Sequence, residues 1–261
     1  MKIEGYSRKR ELMQSVRMTS LLSIIITALL LILVFAIFVP FRIDKKMKRE
    51  HFANNPNTYA LVVTMYCSEE RRTMYLDVLT YIRDTIGWPL KDLFIIDSAN
   101  KGVPSSLVSV DNQILYDQDF LNVKETDPNP TIFEQAALAR LIDSHWDRLK
   151  QYDYIIKLTG KYKFPGLLDL LRRPIREDCI LNNYSDKSRF REGQIWTELI
   201  GFKSHIFRSW VNWIQHNMTD STLETKTERF VRNDRLSPYI LPRLKNDAQY
   251  ERNDGSIILY L

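Results

Sequence analysis

The sequence predicts an α/β fold: a Rossmann-like, mostly parallel sheet flanked by helices and preceded by one N-terminal transmembrane helix. Three observations lead to this prediction. Residues 18–40 contain no charged side chain, strand-like apolar runs alternate with helical periods after residue 58, and polar side chains directly follow several predicted strands. Alternating strands and helices indicate βαβ units, in which helices cover both faces of the sheet.

The apolar N-terminal segment, MTSLLSIIITALLLILVFAIFVP, is long enough to cross a bilayer as a helix. It is too long, and starts too far from the N-terminus, for a cleaved signal peptide, and no small-x-small cleavage pattern follows it. A buried core helix is the alternative, which its length disfavours. We therefore expect a cytosolic tail (1–17), a transmembrane signal anchor (18–41), a stem (42–57) and a lumenal domain (58–261).

Charge bears on the orientation of the chain and on its partners. Five basic residues precede the apolar segment and five follow it closely, so the positive-inside rule is nearly tied. The short tail and the large C-terminal part favour a single-pass type II protein of the Golgi or endoplasmic reticulum lumen. The net charge is +5, and much of the excess lies in the first fifty residues. The remainder is nearly balanced, so the charge indicates no nucleic-acid partner, whereas the apolar segment makes a lipid bilayer the expected partner.

The first half of the domain has a strand–helix–strand–strand order. YALVVTMYC (59–67) is typical of a strand, and Ser68 is expected to cap a helix with Glu69 and Glu70 in its first turn. Gly87-Trp-Pro ends this helix. LFIID (93–97) is the second strand, and QILYDQDF (113–120) is a candidate third. The apolar positions of the helix are Met74, Val78, Ile82 and Ile86.

The second half opens with a predicted capping box, Thr131-Ile-Phe-Glu134, at the start of a helix. YDYIIKLTGKY (152–162) contains the fourth strand, and DCILNNYS (178–185) is a candidate fifth. GQIWTELIGFKSHIFRSWVNWIQ predicts a short strand and then a helix with Ile206, Trp210 and either Trp213 or Ile214 inward; DGSIILYL is strand-like. The apolar face of the capped helix comprises Ile132, Ala136, Ala139, Ile142, Trp146 and Leu149.

The ends of two predicted strands carry candidate ligand-binding groups, because ligands of parallel sheets bind beyond the C-terminal strand ends. Asp97 ends the second strand, and the fourth strand delivers Lys157. The following Thr159, Gly160 and Lys161 add a hydroxyl, backbone N–H groups and a second cation, a combination that suits an anionic ligand. The alternative is a solvated turn, or a lysine paired with a local carboxylate.

Glu198 is the candidate general base. It lies beside Trp196 and Leu199, so we expect partial desolvation to raise its pKa; the alternative is a partly buried structural glutamate. Arg191 is expected to pair with Glu198 or with a phosphate. Glu134 is explained by its capping position and is assigned no catalytic role.

Asp117-Gln-Asp119 is the candidate metal site, because two oxygen ligands at this spacing can share a hard cation such as Mn²⁺ or Mg²⁺. Cys67 and Cys179 are compatible either with a disulfide or with two buried free thiols. Phosphate-binding glycine loops, a Gly-x-Ser-x-Gly motif and Cys/His metal spacing are missing from the sequence, which disfavours kinase, dehydrogenase, hydrolase and zinc-site functions.

Three segments carry a family resemblance: TIFEQAALARLI with YDYIIKLTGKY, WTELIGFKSHIF (196–207), and the terminal RNDGSIILYL. Together with the anchor and the strand order, they resemble the nucleotide-diphospho-sugar glycosyltransferases of the GT-A fold. The resemblance spans roughly residues 58–261 in short pieces and names neither donor nor acceptor. It implies a nucleotide-sugar donor, a glycan, protein or lipid acceptor, and Asp97 and Ser98 beside the nucleoside. The alternative for Asp97 is a turn aspartate before SANKG.

The sequence departs from that family at one position. Most members carry an Asp-x-Asp after the second helix, which holds a divalent metal on the diphosphate; here Lys157-Leu-Thr159 stands at the equivalent place. The resemblance therefore implies that Lys157, with Lys161 or Arg191, neutralises the diphosphate without a metal. Mn²⁺ or Mg²⁺ at the Asp-x-Asp of residues 117–119 is the alternative. A catalytically inactive, membrane-tethered scaffold of the same fold is the second hypothesis.

Overall fold

The computed structural model describes Thr27, Leu30 and residues 57–117, 130–183, 195–217, 222–241, 249–251 and 257–259. The chain divides into two compact units, Met1–His51 and Phe52–Leu261. Thr27 and Leu30, in the first unit, are helical and exposed. Within the described ranges, no helix is both long and apolar enough to cross a bilayer. Most of the predicted anchor lies outside these ranges, so the membrane span remains a prediction.

The second unit contains a seven-stranded sheet with the order β3-β2-β1-β4-β6-β5-β7. Six strands are parallel, and β6 runs against both of its neighbours. This arrangement confirms the mostly parallel sheet that the sequence predicts. The strands are β1 (Tyr59–Met65), β2 (Leu93–Asp97), β3 (Gln113–Leu115), β4 (Tyr154–Thr159), β5 (Cys179–Asn183), β6 (Ile195–Lys203) and β7 (Pro238–Leu241), and a separate hairpin pairs β8 (Gln249–Glu251) with β9 (Ile257–Leu259).

The central strands form because their side chains are apolar on both faces. Every residue of β1 and of β2 is buried, as expected of parallel strands covered by helices on each side. The register pairs Val63 with Ile95 and Leu61 with Ile156, which aligns three strand ends at one edge of the sheet. The C-terminal ends of β1, β2 and β4 therefore lie next to one another.

Among the described residues of the second unit, five α-helices complete the layers: α1 (Glu69–Tyr81), α2 (Pro130–Leu149), α3 (Leu167–Leu171), α4 (Ser204–His216) and α5 (Leu223–Asn233). Side chains of α1 and α3 join one apolar core, and those of α2, α4 and α5 join the other. Helix α1 continues as a π-helical turn, Ile82–Ile86, which ends at Gly87 with a φ of 74°. Because that φ is left-handed, glycine suits the position and stops the helix as predicted.

The predicted apolar faces agree with the structure for two helices. In α1 and its extension Val78, Ile82 and Ile86 are buried, and in α4 Ile206, Trp210 and Ile214 are buried, so Ile214 rather than Trp213 points fully inward. The face predicted for α2 is partly wrong. Ile142 and Leu149 are buried as predicted, but Ile132, Ala136, Ala139 and Trp146 are half-buried. The rest of the core side is formed by Ala137, Leu138 and Leu141.

Three further features differ from the predictions or resolve an open alternative. Helix α2 begins at Pro130, so Thr131 lies inside the helix and the predicted capping box is wrong. Helix α5 and strand β7 were not predicted, because LETKTERFVRN has few apolar residues and PYIL is a short edge strand. Cys67 and Cys179 are both free and buried, and they join opposite cores, so the free-thiol alternative holds.

Gly160, directly after β4, marks a close approach between β4, β1 and α1. A Cβ atom built there would lie 2.9 Å from a ring carbon of Tyr75 and 3.0 Å from Val63 Cγ1. We therefore expect Gly160→Ala to lower the free energy of unfolding by about 1–3 kcal/mol. Chemical denaturation measures this change, with Ser209→Ala on the exposed face of α4 as control. An unchanged midpoint for Gly160→Ala would contradict the tight packing.

Candidate functional site

A cleft of about 370 Å³ opens at the C-terminal ends of β1 and β4. This is the edge at which ligands of parallel α/β sheets bind, as the sequence predicts. Its walls combine two cations, one carboxylate, hydroxyl groups and aromatic rings. The described residues that line it are Thr64, Met65, Tyr66, Arg71, Tyr75, Ser98, Phe133, Glu134, Ala137, Thr159 and Lys161.

Lys157 is fully buried beneath this cleft, and the structure corrects its predicted role. Its side chain lies on the α2 side of β4, and its ammonium contacts the carboxylate of Glu134. It also donates to Thr159 Oγ1 at 3.0 Å and to the carbonyl oxygen of Thr197 at 2.6 Å. An ammonium has three protons, so these three partners use its donors completely. The alternative of a lysine paired with a local carboxylate therefore describes it, and direct contact with a diphosphate does not.

Glu134 is the partner that the sequence did not assign to the site. Its Oε1 contacts Lys157 Nζ and accepts a 2.9 Å hydrogen bond from Thr64 Oγ1, while its side chain remains 23% exposed in the cleft wall. Because a capping role was sufficient to explain its spacing from Thr131, the sequence analysis did not place it in the site. Helix α2 packs against β1 and β2, and Glu134 reaches Lys157 on β4.

Glu198 lies on β6, one residue beyond the last β4–β6 pair, Leu158 with Leu199. Burial raises its pKa from 4.5 to about 7; the positive charge of Lys157 acts in the opposite direction, and the carboxylates of Glu224 and Glu134 raise the pKa further. The raised pKa agrees with the desolvation that the sequence predicts. Within the described part of the chain, its Oε2 is buried without a hydrogen-bond partner.

The start of β6 is tied to both Lys157 and α5. The carbonyl oxygen of Thr197 accepts from Lys157, and Thr197 Oγ1 donates to Glu224 Oε1 at 2.8 Å. Since Glu198 is the next residue, its backbone is held from two sides. The antiparallel direction of β6 brings this N-terminal part of the strand to the same edge as the end of β4.

Asp97 ends β2 and holds the loop beside the cleft. Its side chain is fully buried, and its two oxygens accept from the backbone N–H groups of Cys67, Ala99, Lys101 and Gly102 at 2.9–3.0 Å. These four hydrogen bonds show that the carboxylate stabilises the loop, a role different from the predicted contact with a nucleoside. Ser98, the next residue, reaches the cleft while its hydroxyl donates to the carbonyl oxygen of Met65.

The β4 terminus contributes two groups to the cleft, Thr159 and Lys161. Gly160 lies between them, but its N–H donates to the carbonyl oxygen of Thr64 at 2.9 Å and is therefore not directed at a ligand as predicted. Arg71 of α1 is a second cation in the lining that sequence reasoning missed. Arg71 is four residues before Tyr75, so both lie on the same face of α1. Because the ring of Tyr75 packs on Gly160, this spacing directs Arg71 to the end of β4.

The remaining predicted site residues are only partly described. Asp117 is half-buried and forms an isolated antiparallel bridge with Ala99, whereas Asp119 and Arg191 lie outside the described residues. The part of the chain that the structure covers brings together no group of three or more Asp, Glu, His or Cys side chains suited to a metal ion. These residues alone do not fit a complete Mn²⁺ or Mg²⁺ site, and no step below is assigned to a metal.

Comparison with known proteins adds one distant similarity. No family model matches the chain, and no curated protein matches it. Among solved structures, it is similar to a glycosyltransferase involved in the glycosylation of the major capsid of PBCV-1, with a TM-score of 0.40 and 6% identity over 70% of this chain and 82% of that chain. Values this low do not assign the chain to a family.

The raised pKa of Glu198 predicts a specific dependence of stability on pH. The folded state holds this proton up to about pH 7, whereas the ordinary pKa is 4.5. The corresponding stabilisation is therefore complete below pH 4.5 and is lost as the pH rises to 7, an effect on the order of 3 kcal/mol. We expect Glu198→Gln to remove this loss.

Chemical denaturation of the full-length chain in detergent, between pH 4.5 and 8, measures the effect. Asp143→Asn, an exposed change on α2, is the matched control and is expected to keep the wild-type profile. Parallel profiles for wild type and Glu198→Gln would show that the carboxyl group titrates at its ordinary pKa.

Proposed function

We propose that this chain is a membrane-anchored glycosyltransferase that moves a hexosyl or related sugar from a nucleotide-sugar to a glycan, protein or lipid acceptor. The observation that carries the proposal is the cleft at the C-terminal strand ends, in which Arg71 and Lys161 provide positive charge. The segments that resemble GT-A glycosyltransferases support the same activity. A type II orientation in the Golgi or endoplasmic reticulum is part of the proposal.

In this proposal the donor diphosphate lies against Arg71 and Lys161. Guanidinium and ammonium groups form strong charge-assisted hydrogen bonds with phosphate oxygens, and they offset the charge that the leaving diphosphate gains. This assignment gives the two cations of the cleft wall the role that the sequence analysis gave to Lys157. Ser98 and the loop held by Asp97 lie beside the cleft and provide a rigid wall for the nucleoside.

The proposed reaction has one proton to remove. The acceptor hydroxyl oxygen attacks the anomeric carbon of the donor sugar, the bond from that carbon to the diphosphate oxygen breaks, and its electron pair leaves with the diphosphate. In an inverting reaction, the proton of the acceptor hydroxyl passes to the carboxylate of Glu198. Its pKa of about 7 suits a group that takes and returns a proton near neutral pH.

The first test is donor binding and turnover with the full-length chain in detergent. A panel of UDP-, GDP- and CMP-sugars is titrated by calorimetry and assayed for transfer, with Mn²⁺ and with EDTA. We expect one donor class to bind, and we expect Arg71→Ala and Lys161→Ala each to weaken its binding by roughly ten-fold, because each removes a charge-assisted contact.

Lys163→Ala is the matched control, since Lys163 is two residues from Lys161, is not among the described residues that line the cleft, and pairs with Asp77 at 2.5 Å. It is expected to bind the donor as wild type does. Absence of binding for every donor would overturn the proposal. Donor binding without turnover on any acceptor would favour the inactive scaffold, and turnover lost in EDTA would direct attention to Asp117 and Asp119.

A further inference from the structure

The cleft wall carries charges of both signs, and each sign favours a different part of a ligand. Arg71 and Lys161 are cationic, whereas Glu134 is the single carboxylate among the described residues that line it. A diphosphate is attracted by the two cations and repelled by the carboxylate. A neutral group rich in hydroxyls has the opposite preference, because each hydroxyl can donate to a carboxylate oxygen.

Glu134 is held in place for such a contact. Lys157 and Thr64 both engage Oε1, which fixes the position of that oxygen while 23% of the side chain stays exposed. The buried ammonium of Lys157 has Glu134 as its counter-charge. The ion pair therefore holds a carboxylate in the cleft wall.

Aromatic side chains border the same wall. Phe133 precedes Glu134 on α2, and both line the cleft together with Tyr66 from the end of β1. An aromatic face beside a fixed carboxylate is a combination that binds the apolar and the hydroxyl faces of a sugar ring at the same time. The ribose hydroxyls of a nucleoside can also donate to a carboxylate, and comparison of the free nucleoside diphosphate with the nucleotide-sugar separates the two cases.

We propose that Glu134 binds hydroxyl groups of the donor sugar and thereby selects the sugar, with Lys157 and Thr64 as positioning residues. The inference rests on the proposed function, since it assumes a nucleotide-sugar in this cleft. It extends that function by dividing donor recognition into two parts: the cations bind the diphosphate, and the carboxylate of Glu134 accepts hydrogen bonds from the sugar hydroxyls.

The test measures the contribution of the sugar separately from that of the nucleotide. Calorimetry with the full-length chain compares UDP with UDP-glucose, UDP-galactose and UDP-N-acetylglucosamine, and GDP with GDP-mannose. For the donor that wild type binds, we expect Glu134→Gln to weaken nucleotide-sugar binding by about ten-fold. Binding of the free nucleoside diphosphate is expected to stay equal or become tighter, because a repelling charge is removed.

Glutamine keeps an acceptor oxygen for Lys157 but removes its counter-charge, so circular dichroism first establishes that this variant is folded. Thr64→Val supplies a second, near-isosteric variant that leaves the carboxylate in place and removes the hydrogen bond to it, together with a longer one to the carbonyl oxygen of Leu158. We expect it to weaken sugar recognition by a smaller factor, about three-fold. Asp77→Asn, an exposed acidic change on α1 outside the cleft, is the control and should leave both affinities unchanged.

The outcomes separate this inference from the proposed function. If wild type binds a nucleotide-sugar but Glu134→Gln weakens it and the free nucleotide equally, Glu134 has only a structural role and the inference is overturned alone. The same conclusion follows if the sugar adds no affinity in wild type. If wild type binds neither nucleotides nor nucleotide-sugars, both proposals are overturned. Selective loss of the sugar contribution in Glu134→Gln supports both.

Discussion

The buried ammonium of Lys157 is the constraint on which the site depends. A full charge with no exposed surface is tolerated only when its protons are satisfied, and here α2, β4 and β6 each supply one partner: Glu134, Thr159 and Thr197. The lysine therefore sets the distance between a helix and two strands at the edge where the cleft opens. Its effect on function is indirect, because it positions the groups that face the ligand.

This constraint places two carboxylates near one lysine in different surroundings. Glu134 contacts the ammonium and lines the cleft, whereas Glu198 lies on β6, the strand that Lys157 holds through Thr197. Burial raises the pKa of Glu198 to about 7, and the positive charge of Lys157, which acts in the opposite direction, does not offset this rise.

The sequence predicted those elements that depend on local pattern. Continuous apolar runs identified β1, β2 and β4, and helical spacing identified α1 and α4. Burial on both faces of a sheet requires an apolar run, and burial on one face of a helix requires apolar residues at helical spacing. The sequence analysis failed where contacts between distant elements determine the role of a residue. Lys157 was interpreted as a ligand-binding cation because the carboxylate that pairs with it comes from another element. Glu134 had a sufficient local explanation, and Arg71 was hidden by two acidic neighbours, Glu69 and Glu70.

The direction of β6 shows how one topological feature creates a site from residues that sequence analysis treats separately. The central parallel strands β1, β2 and β4 bring Met65, Asp97 and Thr159 to this edge, and the first two of these are occupied with core packing or backbone contacts. A reversed strand presents its N-terminal residues there instead, so Thr197 and Glu198 join the end of β4. Neither periodicity nor composition encodes that reversal. It follows from the pairing of β6 between β4 and β5, and Glu198 lies at that edge only because of it.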